Sequence, residues 1–187
     1  QMCIRDRGYG SLASGNASHS EGLFTTASGE YARSIGQLTN ASGDYSFAHG
    51  YDTIAQGTYS HAEGFQTKTT HFYAHTEGYR TTGSASWSHA EGNQTKTAGN
   101  YSHAEGDHTL AEGVSSHAEG YFTTASANYS HAQGSRTVAV GEYSHAGGIE
   151  VFASGAGQYA IGKYNEIENT TSLLSLIHIS EPTRLLA

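Results

Sequence analysis

Histidine returns every 14 residues over much of the chain, and glutamate follows it two residues later in most copies. The histidines of this column are His19, His61, His75, His89, His103, His117, His131 and His145. The glutamates are Glu21, Glu63, Glu77, Glu91, Glu105 and Glu119. Imidazole and carboxylate groups both ligate divalent metals. One hypothesis is therefore a metal-binding ladder, with candidates His61, His75, His89, His103, His117, Glu63, Glu77, Glu91, Glu105 and Glu119.

The favoured interpretation of the same column is structural. Metal sites use a few converging ligands, whereas a periodic column singles out no coil. We expect a His/Glu ladder at a subunit interface, with no metal and no other cofactor. Such an interface would be pH-sensitive, because stacked imidazoles gain charge near pH 6. The His-x-Glu pattern also occurs in zinc deaminases, but their paired cysteines are absent. The pattern indicates no catalytic residue and no enzyme.

A second column is aromatic and has the same period. It comprises Tyr31, Tyr45, Tyr59, Tyr73, Trp87, Tyr101, Tyr129 and Tyr143. Stacked rings could bind a glycan receptor, but packing between neighbouring coils or chains is the favoured interpretation. The pattern is interrupted at Phe47, His49, His71, Ser115 and Gly147, and these positions suggest no constellation.

Both columns belong to a 14-residue repeat. With Ser18 as position 1, position 5 is glycine in eleven copies: Gly22, Gly36, Gly50, Gly64, Gly78, Gly92, Gly106, Gly120, Gly134, Gly148 and Gly162. Position 8 is threonine in nine of ten copies. A 14-residue unit without an apolar heptad stripe is typical of one coil of a solenoid. We predict an all-β parallel β-roll with two short strands per coil, at positions 1–4 and 7–11, and with position 5 ending the first strand.

Alternation along strands assigns the faces. Small residues at positions 1, 3, 8, 10 and 12 should fill a narrow interior, while positions 2 and 4 point outward. The pairs Thr67/Thr69 and Thr95/Thr97 would then lie inside, which disfavours an ice-binding face. A core of alanine and threonine offsets little chain entropy, so we expect an oligomer.

The ends differ from the repeat. Residues 1–7 and 174–187 resemble translated sequencing adapters and contain the only Cys, Met and Pro of the 187-residue chain. We expect a metagenomic fragment in which the β-roll occupies 8–164 and residues 165–173 begin an exit segment. The formal net charge of −8 disfavours nucleic acid and anionic membrane as partners, and no apolar run predicts membrane insertion.

The motif Ser-His-Ala-Glu-Gly-x-x-Thr-x-Ala-x-Gly resembles the head repeat of trimeric autotransporter adhesins. Segments 33–36 (Arg-Ser-Ile-Gly) and 159–162 (Tyr-Ala-Ile-Gly) are nearest to the adhesin form, which prefers aliphatic residues at positions 2 and 4. The His/Glu version is more similar to repeats in phage and prophage tail fibres. This resemblance implies a left-handed homotrimeric roll, extracellular on a virion tail or a bacterial surface, that attaches to a host receptor such as a glycan. The alternatives are a bacterial adhesin head, an ice-binding solenoid and the spacer of a polysaccharide depolymerase.

Overall fold

The computed structural model describes residues 5–164 and 166–167, and it is a parallel β-roll whose coils are 14 residues long. The predicted all-β fold, with two strands per coil, is confirmed. Each coil places one strand in each of two twelve-stranded parallel sheets, and each strand pairs with the equivalent strands of the coils before and after it. Within these residues, no helix has the length and apolar character needed to cross a membrane.

The first sheet consists mainly of five-residue strands. They are Arg5–Arg7, His19–Leu23, Arg33–Gln37, Phe47–Tyr51, His61–Phe65, His75–Tyr79, His89–Asn93, His103–Asp107, His117–Tyr121, His131–Ser135, His145–Ile149 and Tyr159–Lys163. The second sheet consists of two-residue strands. They are Leu12–Ala13, Thr26–Ala27, Asn40–Ala41, Ile54–Ala55, Lys68–Thr69, Thr82–Gly83, Lys96–Thr97, Leu110–Ala111, Thr124–Ala125, Val138–Ala139, Phe152–Ala153 and Glu166–Ile167.

The predicted strand limits were wrong in detail. The first strand occupies positions 2–6, so its glycine lies inside the strand, and the second occupies only positions 9 and 10. Position 7 explains the short second strand, because residues such as Phe24 adopt a left-handed conformation with φ 53° and turn the chain there. Position 14 forms the other left-handed corner, as at Tyr45 with φ 56°.

Glycine at position 5 is required by the approach of neighbouring coils. Gly92 has φ +107°, and a Cβ atom on it would lie 2.1 Å from the carbonyl oxygen of Gly106. The column therefore combines a backbone conformation that favours glycine with a contact that excludes any side chain. Strand termination, the role predicted for this glycine, is not its role.

The interior is as narrow as the alternation predicted. Positions 1, 3, 8 and 10 are buried in coil after coil, and the largest fully buried side chains are Val151 and the threonines. Serine at position 1 closes the turn in several coils, as where the Ser46 hydroxyl donates to the Gly43 carbonyl at 2.6 Å. Position 12 departs from the predicted interior set at His71, which is exposed, and at Ala127, which is half-buried.

The boundaries predicted for the ends are only partly covered by the structure. Arg5–Arg7 pairs in register with residues 19–21, so the ladder extends into the segment expected to be an adapter artefact. Of the predicted exit segment 165–173, only Glu166–Ile167 is described. The predicted artefact 174–187 lies outside the described residues.

Candidate functional site

The candidate site is the outward face of the first sheet, where positions 2 and 4 place the histidines and glutamates in two parallel columns. In-register pairing puts His75 beside His61 and His89, and Glu77 beside Glu63 and Glu91. The predicted ladder therefore exists as a continuous surface, which we call the His/Glu face: positions 2 and 4 from His61 to Glu119.

The imidazole rings form a stack along this face. From His61 to His131, successive ring centroids lie 4.7–4.9 Å apart with nearly parallel planes. Phe47 extends the stack at one end, 4.9 Å from His61. At the other end the ring of His145 turns edge-on to His131 and stacks 4.5 Å from Tyr159. His19 lies apart from the stack, because Arg33 follows it in the column.

The ion-pair partner of the histidines changes along the column. The Nε2–Oε2 distance within a coil grows from 3.1 Å at His19–Glu21, through 3.5 Å at His61–Glu63, to 4.0 Å at His89–Glu91. From His103 onward, each Nε2 instead lies nearest the glutamate of the preceding coil. These distances are 3.9 Å for His103–Glu91, 3.7 Å for His117–Glu105 and 3.3 Å for His131–Glu119.

Glu91 stands at the point where this change occurs, between two histidines at almost equal distances. Hydrogen bonds with the Glu77 and Glu105 side chains raise the pKa of Glu91 to about 7. The hydrogen bond between the Glu91 and Glu105 side chains has the opposite effect on its other partner and lowers the pKa of Glu105. The Glu91 carboxyl is therefore the one that holds a proton near neutral pH, while the Glu105 carboxyl stays ionised.

Four histidines at the centre of this face are neutral under the same conditions. Burial, followed by the charge of a neighbouring histidine, lowers the pKa of His61, His75, His89 and His103. Their Nε2 atoms are hidden from solvent and form no hydrogen bond within the described residues. The same is true of the Nε2 atoms of His117, His131 and His145. A hidden polar atom without a partner is costly. The face thus carries a row of unsatisfied nitrogen atoms.

A groove of about 580 Å³ runs beside the histidines. It is lined by the glutamates from Glu63 to Glu119 and by the glycines that follow them. Because those glycines have no side chains, the backbone forms the floor of the groove, and the carboxylates are accessible from outside.

The predicted metal candidates come together in three equivalent groups. They are Glu77/His89/Glu91, Glu91/His103/Glu105 and Glu105/His117/Glu119, in each of which the ligand atoms lie within 4.8 Å of one another. Such nitrogen and oxygen donors suit a divalent transition metal. The arrangement repeats in successive coils, so geometry does not single out one site. His61, His75, Glu63 and Glu119 lie on the same face, and of these only Glu119 joins a group.

The aromatic column stands at the position-14 corner. Tyr31 through Tyr101 form one stack with centroid spacings of 4.8–5.6 Å, and Tyr129 and Tyr143 form a second with a spacing of 4.9 Å. The rings are about half exposed. Packing between coils is thus their observed role within one chain.

Sequence reasoning missed a third stack, at position 6, in which Phe65 lies between Tyr51 and Tyr79 with centroids 4.9 and 5.1 Å away. From the sequence alone, Phe65 and Tyr79 are assigned to no column. Aligning the copies column by column would have revealed that the three aromatic residues occupy consecutive coils.

Part of the repeat matches a known family. Residues 27–51 match two copies of the YadA head domain repeat. The resemblance to the heads of trimeric autotransporter adhesins is confirmed by this match and by the β-roll that continues around it in unbroken register. No curated protein matches the chain. Head-type repeats indicate an adhesin-type β-roll segment exposed at a surface.

Proposed function

We propose that residues 8–164 are a non-enzymatic structural and adhesive segment of a homotrimeric extracellular fibre, most closely comparable to a phage or prophage tail fibre that attaches to a host-surface receptor. The observation that carries the proposal is the His/Glu face, a surface along consecutive coils of a head-type repeat whose buried Nε2 atoms form no hydrogen bond within the described residues.

The thin interior supports association. Each coil buries mainly alanine, serine and threonine. Apolar burial contributes roughly 25 cal/mol per Å², whereas ordering costs about 1–2 kcal/mol per residue. A roll of this width gains stability when a broad face is covered by another copy, because the contact repeats with every coil.

The His/Glu face is the surface that we assign to the subunit contact. Side chains from two other copies would supply hydrogen-bond partners for the Nε2 atoms and cover the groove. The aromatic corner then faces outward, where a receptor can reach it.

The alternatives to a tail fibre are an ice-binding solenoid, a bacterial adhesin head and the spacer of a polysaccharide depolymerase. The column threonines are buried, so they cannot present a regular lattice to ice. Histidine and glutamate at positions 2 and 4, where adhesin heads prefer aliphatic residues, favour the tail fibre over a bacterial adhesin head. A segment that serves as the spacer of a polysaccharide depolymerase would have the same fibre structure.

The test is the absolute mass of the chain in solution, measured by light scattering after size exclusion. We expect three times the 19.8 kDa chain mass at neutral pH. In the triple variant His75→Asp, His89→Asp, His103→Asp, added negative charge beside the glutamates should dissociate the trimer. A folded wild-type monomer would contradict the proposal.

The control adds a comparable amount of negative charge to the opposite sheet. Lys68 and Lys96 are exposed on the second sheet, so Lys68→Asp with Lys96→Asp should leave a trimer. Dissociation by the lysine variant and persistence of the histidine variant would move the interface to the second sheet. Far-ultraviolet circular dichroism on each sample shows whether the roll itself remains folded.

A further inference from the structure

The aromatic corner is interrupted once between Tyr31 and Tyr143, at Ser115. The stack that begins at Tyr31 ends on Tyr101, and a second stack begins at Tyr129. Ser115 keeps the corner conformation, with φ 53° against 60° at Tyr101 and 57° at Tyr129. The backbone of the ladder is therefore continuous, and only one ring is missing from it.

The missing ring exposes two aromatic faces. Inside a stack, each ring lies parallel to the ring of the next coil, with centroids 4.8–5.0 Å apart. Across Ser115, one face of Tyr101 and one face of Tyr129 look toward each other with no ring between them. The two coils are separated by two strand spacings, about 9.6 Å. One ring placed midway would lie at the stacking distance seen elsewhere in the ladder.

The gap is open to solvent. Tyr101 is 58% exposed and Tyr129 50%, and Ser115 between them is also exposed. A ring that belongs to a longer chain could therefore enter from outside, while the rest of that chain stays in solvent.

The three coil corners that border the gap are uncharged. Segments 99–101, 113–115 and 127–129 contain no charged residue, whereas Glu30, Asp44 and Glu142 precede tyrosines elsewhere in the column. The side-chain Oδ1 atoms of Asn100 and Asn128 accept hydrogen bonds from the backbone N–H groups of Ser86 and Val114, respectively. These two bonds do not involve the side-chain NH₂ groups. A cation would be expected to select the acidic part of the column, so the gap favours a neutral ligand.

We infer that the gap between Tyr101 and Tyr129 at Ser115 is a binding slot for one neutral sugar ring of a surface glycan. The two tyrosine faces take the two apolar faces of the pyranose. Ser115 and the nearby amide and phenol groups are suited to its hydroxyls. The inference deepens the proposed adhesive role and rests on it for its biological meaning.

The slot can be tested by saturation-transfer NMR on the full chain. The probes are the methyl β-glycosides of glucose, galactose and N-acetylglucosamine, each at millimolar concentration. We expect transfer to the ring protons of at least one sugar, and at least a tenfold weaker affinity in Ser115→Tyr, which fills the gap with the residue the ladder carries elsewhere. No transfer to any of the three sugars, or equal transfer in Ser115→Tyr, would overturn the inference.

A second variant moves the slot. Trp87 lies between Tyr73 and Tyr101 in the same stack, and its flanking segment 85–86 is also uncharged. Trp87→Ser in the Ser115→Tyr background should restore transfer, because it opens an equivalent gap between Tyr73 and Tyr101, two coils before position 115. Tetramethylammonium is the competing probe, and binding of it in place of the sugars would overturn the assignment of a neutral ligand.

Light scattering on the same samples separates this inference from the proposed function. A trimer that shows no Ser115-dependent sugar signal removes the slot and leaves the fibre. A monomer that shows the signal removes the trimeric fibre and leaves the slot.

Discussion

Two regions of the roll share one backbone and carry different faces. In residues 27–51, which match the YadA head repeat, positions 2 and 4 are Arg33/Ile35 and Phe47/His49. From His61 to Glu119 the same positions are uniformly histidine and glutamate. Strand bounds and register are the same in both regions. The outward columns can therefore change chemistry without changing the coil, because the backbone ladder and the small interior residues set its geometry.

The largest expected effect lies in what the regions share. Gly36→Ala and Gly92→Ala would each place a Cβ 2.1 Å from the next coil's carbonyl oxygen, at positive φ. We expect each to lower the free energy of unfolding by about 3 kcal/mol or more. Urea unfolding followed by circular dichroism measures this, with the exposed Gln56→Ala as control. A large loss in one region only would mean that the coils are not equivalent.

The pH response should separate the regions. Burial lowers the pKa of several ladder histidines below the ordinary 6.5. On acidification the unfolded chain therefore takes up protons first, and the stability that neutral histidines provide above pH 6.5 is lost as the pH falls through their lowered pKa values. Glu91, with its pKa raised to about 7, acts in the opposite direction, but it is one group against five.

We expect the melting temperature to fall between pH 8 and pH 5, and His89→Gln to reduce that fall. Arg33→Gln, at the same position in the region of residues 27–51, should leave it unchanged. The groups around His89 are His75, His103, Glu77, Glu91 and Glu105, all on the first sheet. Equal pH slopes in the two variants would show that the histidine stack does not carry the response.

One coil of the region 27–51 also has an interior hydrogen bond that the coils of the His/Glu face lack. The Ser34 hydroxyl pairs with that of Thr39 at 2.7 Å, whereas Ala62 replaces the serine further along and the Thr67 hydroxyl has no partner. We expect Ser34→Ala to lower the free energy of unfolding by about 1–2 kcal/mol and Ala62→Ser to raise it by about 0.5–1 kcal/mol. Chemical denaturation provides both values, and a loss of stability in Ala62→Ser would indicate that the interior cannot hold another hydroxyl.

The smallest expected effect concerns Glu91. Glu91→Gln keeps a hydrogen-bonding group beside Glu77 and Glu105 while removing one carboxyl from a crowded row. We expect a gain in stability of less than about 1 kcal/mol at pH 8 and none at pH 5, where the native carboxyl is already protonated. Glu63→Gln, at the edge of the row, is the control and should show no such pH dependence.

The sequence by itself determined the period, the two strands per coil and the residues inside. Alternation along a strand is a local rule, so Ser18, Ala27 and Thr25 could be assigned to the interior from spacing alone. Invariant glycine at position 5 identified a backbone constraint, although its position inside a strand did not follow from the pattern. Phe24 and its equivalents in the left-handed region gave no signal, because residues of many types occupy position 7.

Only the tertiary structure decided how side chains of different coils meet. Glu91 lies at almost equal distances from His89 and His103 because the distances between histidine and glutamate side chains change gradually from coil to coil. No single repeat contains that information. The slot at Ser115 likewise depends on rings 14 residues away on either side, brought face to face by the ladder. The physical reason is that the repeat specifies one coil, whereas these contacts arise from the stacking of many.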